Sequence, residues 1–129
     1  MKNVDEYKRI KKLSEFDFDY ASLQEEFKNF VELAANIAGT DISLINIIDN
    51  HSQWSVSRYN AEIFKMDREA SICQYTIGSD NLMEVPRLDQ DERFSDKPYV
   101  KQDNGFRYYL GIPLKVGTGE NIGALCVLD

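Results

Sequence analysis

Histidine and cysteine are nearly absent from this 129-residue sequence. His51 is the only histidine, and Cys73 and Cys126 are the only cysteines. A Cys/His zinc site needs four ligands at short spacings, so these three residues cannot supply one. A serine–histidine–aspartate set would depend on His51, which lies in a predicted turn, and we do not expect that chemistry. Two separate thiols are typical of buried hydrophobic side chains, and no metal or other cofactor is expected.

Long apolar runs are also missing from the sequence. No stretch of about 18 apolar residues is present that could span a bilayer. Residues 1–13 lack the apolar h-region that a secretory signal requires. We therefore expect a cytoplasmic protein that has no membrane partner.

Acidic side chains outnumber basic ones in the sequence as a whole, but not at the amino terminus. The sequence has 22 acidic and 15 basic side chains, which give a formal net charge of −7. Nucleic-acid binders take most of their affinity from Lys and Arg on phosphates, so nucleic acid is not an expected partner. The basic residues of the amino-terminal segment are Lys2, Lys8, Arg9, Lys11 and Lys12. We interpret residues 1–19 as a basic helical arm with a solvated face, followed by an acidic connector.

The clearest periodic pattern predicts a helix over residues 22–38. Its apolar residues recur at helical spacing: Leu23, Phe27, Phe30, Val31, Ala34, Ile37 and Ala38. Ser22 and Glu25 match a capping box at the start of this helix, and Gly39 is typical of a helix end. A weaker repeat predicts a shorter helix in the arm, on Val4, Tyr7, Ile10 and Leu13.

The spacing of apolar residues changes after Gly39 and predicts strands. Residues 42–48 form a β-branched run that is typical of a central strand covered on both faces. Residues 54–57 alternate apolar and polar side chains, so they predict the second strand of a hairpin. We interpret residues 60–70 as irregular and residues 71–77 as a short helix.

The second half of the chain predicts three further strands. Residues 82–88 form the first, which lies at a sheet edge or pairs on one side only near Pro86, because proline donates no ladder hydrogen bond. Residues 89–105 are a polar excursion, and residues 106–116 and 122–128 predict a terminal hairpin. The order of elements indicates an α+β fold, in which helices pack on one face of an antiparallel sheet of about five to six strands.

Six sequence blocks occur in a set order, and together they are more specific than any one of them. They are residues 33–49, Gln53-Trp54, and residues 71–77, 91–98, 105–114 and 122–129. In this order and spacing they resemble the GAF family of regulatory domains, specifically the branch found ahead of sensor histidine kinases and cyclic-dinucleotide enzymes. The resemblance covers about residues 20–129, with residues 1–19 as the arm before it.

The resemblance implies a profilin-like or PAS-like sheet whose terminal helices pack together on its back. No sequence for the carboxy-terminal helix follows the last strand, so we expect a fragment of a longer signalling protein. A homodimer is expected as well. The apolar stripe of residues 22–38, together with Tyr7 and Ile10, could form that dimer, but the same stripe could equally cover the sheet.

The resemblance also implies a ligand pocket between the sheet and the crossover segments. The residues that it places near this pocket are Trp54, Arg58, Cys73, Tyr75, Arg107 and Tyr109. Core packing would explain Trp54 and Tyr109 equally well. Arg107 belongs to the pocket only if it points inward, where its charge needs an anionic partner; pointing outward, it is a surface residue.

The sequence is compatible with three functions. The resemblance favours a non-catalytic sensory domain that binds a small molecule or partner and signals through its terminal helices to a kinase or cyclic-dinucleotide enzyme. The first alternative is an enzyme like the free methionine sulfoxide reductases, whose cysteines lie in a crossover where this sequence has none. The second alternative is a dimerisation module without a ligand. The phosphodiesterase cyclic-nucleotide signature is not found, and the lone histidine disfavours bilin and haem.

Overall fold

A six-stranded antiparallel sheet forms the centre of the computed structural model, which describes residues 5–129. The strands are β1 (Ile42–Ile48), β2 (Ser52–Tyr59), β3 (Lys65–Asp67), β4 (Met83–Val85), β5 (Tyr109–Lys115) and β6 (Asn121–Leu128). Their order across the sheet is β3-β2-β1-β6-β5-β4. The predicted antiparallel sheet, its central strand over residues 42–48 and its edge strand beside Pro86 are confirmed. Lys2 and Val4, assigned above to the arm, lie outside the described residues.

The two long helices pack on one face of the sheet, as predicted, and two helices of four residues each lie over the other face. They are α1 (Glu6–Ser14), α2 (Tyr20–Ala38), α3 (Cys73–Thr76) and α4 (Pro98–Lys101), with 3-10 turns at Arg68–Ala70 and Leu88–Gln90. Both long helices contribute to one apolar layer, in which Leu13 and Val31 meet Ile47. The other face, here called the crossover face, is covered by α3, α4 and their flanking segments, and it holds Ile48 and Phe94. No helix in the described part of the chain is long and apolar enough to cross a membrane.

The long helix α2 starts earlier than predicted. Its N-cap is Asp19, whose carboxylate accepts a hydrogen bond from the N–H of Ser22 at 3.3 Å. The prediction of Ser22 as the cap is therefore wrong, because the aspartate three residues before it satisfies that N–H group. The predicted end is confirmed, since Gly39 adopts the left-handed conformation with φ of 72°.

Two segments of the chain differ from their predicted structure. Residues 60–70, interpreted as irregular, contain β3, which pairs with β2 over three residues and is too short to leave a periodic pattern. The strand predicted over residues 82–88 is limited to Met83–Val85. Beyond Pro86 the chain leaves the ladder, and the N–H of Leu88 donates to the carbonyl oxygen of Arg107 at 2.7 Å.

The terminal hairpin of β5 and β6 is confirmed, but β5 begins at Tyr109 instead of Phe106. The N–H of Phe106 donates to the carbonyl oxygen of Tyr99 at 2.8 Å, and that of Arg107 donates to the carbonyl oxygen of Asp129 at 2.8 Å. These bonds hold the segment before β5 against α4 and the end of β6.

The amino-terminal arm is docked on the sheet through a buried arginine. Arg9 is 1% exposed, so the prediction of a solvated basic face is wrong for this residue. Its guanidinium donates to the carbonyl oxygens of Ile48 at 2.6 Å, Asp49 at 3.3 Å and Asn121 at 3.5 Å. Glu6 balances the charge at 3.0 Å. The planar fork of five N–H donors allows arginine to make all of these bonds, which the single ammonium group of lysine does not match.

Candidate functional site

The crossover face contains a cavity of about 40 Å³. It lies between the sheet and segments that contribute Ile72, Tyr99 and Phe106. None of the 15 described residues that line it carries a charged side chain. A space of this size holds roughly three water molecules or a group of similar size.

A β-bulge sets which side chains of β2 reach the cavity. Asn46 of β1 pairs with Ser55 of β2, whereas the neighbouring Ile45 pairs with Ser57. Val56 is therefore an extra residue in β2 at this point. The Oγ atom of Ser55 donates a hydrogen bond to the Oδ1 atom of Asn46 at 2.6 Å, so the bulge joins a polar pair within an otherwise apolar strand.

The amide of Asn46 also connects the two thiols of the chain. Its Nδ2 atom donates to the Sγ atom of Cys73 at 3.3 Å and to that of Cys126 at 3.6 Å. Both cysteines are 2% exposed and reduced. The predicted role of the thiols as buried side chains is confirmed. Within residues 5–129, no group of three or more His, Cys, Asp and Glu side chains could hold a metal ion.

The hydrogen bond between the two thiols shifts their pKa values in opposite directions. A hydrogen bond from Cys126 lowers the pKa of Cys73, and burial raises it by a smaller amount. The hydrogen bonds from Tyr109 and Asn46 also lower this pKa. The hydrogen bond to Cys73, together with burial, holds the pKa of the Cys126 thiol well above its ordinary value. Neither sulfur is exposed to a substrate in solution.

The phenol of Tyr109 forms another part of the cavity wall. Its hydroxyl group lies 2.6 Å from the Oγ1 atom of Thr76 and 3.1 Å from the Sγ atom of Cys73. Burial holds the pKa of Tyr109 well above its ordinary value, so the side chain remains a neutral phenol. A side chain at Gly111 would overlap this ring, so glycine is required two residues along the strand.

One buried polar atom of the cavity wall has no partner. Gln53 lines the cavity and is 5% exposed, but its Oε1 atom accepts no hydrogen bond within the described residues. The side chain of Tyr99, by contrast, donates to the carbonyl oxygen of Ala70 at 2.6 Å. Gln53 is therefore the wall residue with unused hydrogen-bonding capacity.

The structure brings two of the six predicted site residues into this cavity. Cys73 and Tyr109 line it. Trp54 does not: it lies in the apolar layer of the opposite face, with its ring centroid 5.5 Å from that of Tyr20. The placement of Trp54 near the pocket is corrected because Trp54 pairs with Ile47, which belongs to the same layer.

Arg58, Tyr75 and Arg107 also lie outside the cavity lining. The guanidinium of Arg58 donates to the carbonyl oxygen of Ser55 at 2.8 Å. Tyr75 is 43% exposed and meets Phe94 edge to face.

The side chain of Arg107 lies at the surface and not in the cavity. Its Nη1 atom donates to the carbonyl oxygen of Val100 at 2.7 Å, and its Nε atom lies 3.7 Å from Asp89. This half-exposed side chain ties the start of β5 to α4 and has a carboxylate partner at the surface.

Four polar wall residues were not predicted as site residues: Asn46, Gln53, Ser55 and Tyr99. The sequence did carry a signal for the first three. Asn46 interrupts the apolar run of residues 42–48, and a polar residue at a position covered on both faces needs a partner. Gln53 and Ser55 flank Trp54 on the opposite side of the strand.

Known proteins share sequence and fold with this chain. The GAF domain family model matches residues 22–129. The chain belongs to the GAF domain family. A cyclic di-GMP phosphodiesterase of Pseudomonas aeruginosa is 33% identical to this GAF domain over 125 residues, which are 97% of this chain and 21% of the phosphodiesterase. The chain thus spans about a fifth of the length of this curated relative.

Solved structures share the fold of this GAF domain at low sequence identity. A type II free methionine-R-sulfoxide reductase of Thermoplasma acidophilum has a TM-score of 0.67 at 7% identity, covering 85% of this chain and 76% of the reductase chain. The GAF domain of a phosphoenolpyruvate-protein phosphotransferase of Coxiella burnetii has a TM-score of 0.66 at 12% identity, covering 97% and 77%. Family membership and the phosphodiesterase relative together favour a regulatory or sensory role.

Proposed function

We propose that this GAF domain is a non-catalytic, cytoplasmic sensory domain. A small molecule binds in the cavity, and α1 and α2 relay its arrival to an output domain such as a histidine kinase or a cyclic-dinucleotide enzyme. One observation carries the proposal. Asn46 of β1 lines the cavity, and the next residue of this strand, Ile47, packs on the opposite face in the apolar layer under α1 and α2.

Arg9 gives this relay a second connection. Its guanidinium binds the carbonyl oxygens of Ile48 and Asn121, which lie at one end of β1 and β6 respectively. A ligand that displaces Asn46 therefore moves a strand that both long helices contact. The ligand shifts the domain between two arrangements only by the difference in its affinity for them.

The curated relative supports an output domain in a longer protein. It is a cyclic di-GMP phosphodiesterase, and the part of it that resembles this chain is 21% of its length. A cyclic-dinucleotide enzyme is accordingly the output that we favour over a histidine kinase. The domain itself takes no part in the chemistry in this proposal.

The proposal is tested by native mass spectrometry of the purified chain after incubation with the low-molecular-mass fraction of a cell extract. We expect one small molecule to be retained at one copy per chain. Replacing Asn46 by Leu should abolish retention, whereas replacing the exposed Asn36 by Leu should not. A chain that retains no molecule would overturn the sensory role.

Catalysis like that of the sulfoxide reductases is the first alternative, and the position of the thiols disfavours it. The likeness to the Thermoplasma enzyme, at 7% identity, is a likeness of fold. The pKa of Cys73 is lowered and that of Cys126 is raised, but both thiols are buried, so neither offers an exposed thiolate to a substrate. With free methionine-R-sulfoxide and dithiothreitol, we expect no turnover above that of the Cys73→Ser/Cys126→Ser variant.

A dimerisation module is the second candidate function, favoured by the outer surface of α2. Phe30, Leu33 and Ile37 are 50%, 55% and 77% exposed. They border a groove of about 290 Å³ that Leu110 and Ile112 also line. Contiguous exposed apolar surface of this kind marks interaction sites. We therefore include a homodimer in the proposal.

Sedimentation velocity tests the homodimer. We expect the chain to sediment as a dimer at micromolar concentration and Ile37→Glu to produce monomers, with the neighbouring Asn36→Glu as the matched control. Dimers that persist in Ile37→Glu would exclude this surface. A dimer that retains no small molecule would favour the module without a ligand over the sensor.

A further inference from the structure

The cavity wall offers a ligand one hydrogen-bond acceptor that the folded chain leaves unused. Gln53 of β2 pairs with Ile48 and Met66, so it is fixed between two strands. Its side chain is 95% buried, and its Oε1 atom has no partner within the described residues. A buried carbonyl without a donor destabilises the fold, and a ligand that brings an N–H or O–H group removes that cost.

The other polar groups of the wall are already engaged with one another. The amide of Asn46 binds Ser55 and both thiols. The hydroxyl group of Tyr109 binds Thr76 and Cys73, and that of Tyr99 binds a backbone carbonyl. Gln53 is therefore the main wall residue that can select a ligand by hydrogen bonding.

The charge of the wall limits the ligand in a second way. None of the 15 described lining residues is charged, and Tyr109 remains a neutral phenol. A phosphate or carboxylate that entered would lose its hydration without gaining a countercharge, which is strongly unfavourable. The cavity is thus unsuited to anionic metabolites, including the dinucleotide that the curated relative hydrolyses according to its name.

The apolar part of the ligand can extend toward the sheet edge. Ile63 lines the cavity and is 41% exposed, so it lies at the rim. The adjoining β3 is an edge strand of three residues that pairs with β2 alone. Residues 60–64 connect these strands without belonging to either, and a body larger than the present 40 Å³ requires this segment to shift.

We propose that this cavity binds an uncharged, mostly apolar small molecule whose single N–H or O–H group donates to the Oε1 atom of Gln53. The inference rests on the proposed sensory function and names the chemical class of its ligand.

Three aromatic probes test the class, in titrations of the chain followed by NMR. Indole carries one N–H donor, benzothiophene has the same shape without it, and indole-3-carboxylate adds a negative charge. We expect indole to bind about 3- to 10-fold more tightly than benzothiophene, as one hydrogen bond allows. We expect the carboxylate to bind at least about 10-fold more weakly than indole. Equal affinities for indole and benzothiophene, a tight carboxylate, or no binding of any probe would overturn the inference.

The variant Gln53→Leu tests whether Gln53 causes the preference for indole over benzothiophene. It should bring the benzothiophene-to-indole ratio of dissociation constants down by the same 3- to 10-fold factor. Without ligand, it should raise Tm by about 2–5 °C, because an unsatisfied buried carbonyl is replaced by a methyl group. Gln102→Leu, at an exposed position outside the cavity, is the matched control and should leave the ratio unchanged. An unchanged ratio or a lower Tm in Gln53→Leu would contradict the assignment.

The two proposals fail in different ways. If a charged metabolite is retained from the extract, the ligand class is wrong and the sensory function stands. If nothing is retained from the extract while the probes follow the expected order, the site has the proposed chemistry and the sensory function is wrong.

Discussion

The hydroxyl group of Tyr109 connects α3 to the sheet through Thr76 and Cys73. Replacing Tyr109 by Phe leaves both partners buried without this hydrogen bond. We predict that the free energy of unfolding falls by about 1–2 kcal/mol in urea denaturation. Tyr108→Phe, which removes an exposed hydrogen bond to Glu84, should have less than half that effect. Equal losses would contradict the role of Tyr109 in the wall.

Close contact between β6 and β1 requires glycine at position 123. A side chain there would overlap the carbonyl oxygen of Asn46. We predict that Gly123→Ala lowers the free energy of unfolding by about 2–4 kcal/mol. Gly117→Ala provides the control, because a side chain at Gly117 meets no atom within 4 Å. If both variants were equally stable, the strand contact would be misdescribed.

Single residues were the least predictable part of the site. Cys73 and Tyr109 were placed in it by resemblance, and both line the cavity. Trp54 was placed with them but faces α2. Alternation along a strand shows that Trp54 and Gln53 face opposite ways, but which face holds the cavity depends on the segments that cover each side. That information is tertiary and does not reside in the strand itself.

Among the elements, α1 is held to the sheet mainly by Arg9. This side chain bonds three backbone carbonyl groups and is almost fully buried. We predict that Arg9→Ala lowers the free energy of unfolding by about 2–4 kcal/mol, because its charge-assisted bonds to three carbonyl oxygens are lost, and of these the oxygen of Asp49 keeps a bond from Arg68. The exposed Lys11→Ala on the same helix should change it by less than about 0.5 kcal/mol. Similar values for the two would show that α1 does not depend on Arg9.

The same helix should respond to acid through Glu6. Burial would raise the pKa of Glu6, but the hydrogen bonds from Arg9 and Arg68 outweigh it and lower the pKa from 4.5 to about 2. Because the folded-state pKa is the lower one, the ionised carboxylate stabilises the fold above pH 4.5. This contribution disappears as the pH falls toward 2.

The difference in stability between wild type and Glu6→Gln measures this effect. Since Glu6 is nearly half exposed, we expect about 1 kcal/mol at most, present at pH 6 and closing between pH 4.5 and 2. Thermal unfolding at a series of pH values gives the curve. A gap that stays constant with pH would contradict the ion pairs as its source.

Elements with a strong periodic pattern were predictable from the sequence. The long helix α2, the central strand β1 and the terminal hairpin all carry such patterns and were confirmed. The three-residue strands β3 and β4 were missed or overextended, because their limits are set by pairing with a neighbour. The burial of Arg9 was missed because its partners are backbone groups of residues far along the chain. A pattern of charges in the sequence does not reveal such contacts.

The two faces of the sheet must communicate if this domain is a sensor. The cavity lies on one face and the long helices on the other, with β1 and β6 shared between them. A ligand that only filled space in the cavity would stabilise the domain without carrying a signal. A sensor must also change the helix layer.

Hydrogen–deuterium exchange with and without saturating indole shows whether the two faces communicate. We predict slower exchange in β2 and α3 around the cavity, together with a changed exchange rate in α1 or α2 across the sheet. The change in α1 should be lost in Arg9→Ala, which removes its connection to β1. Protection confined to the cavity, with both long helices unchanged in the wild type, would contradict the account.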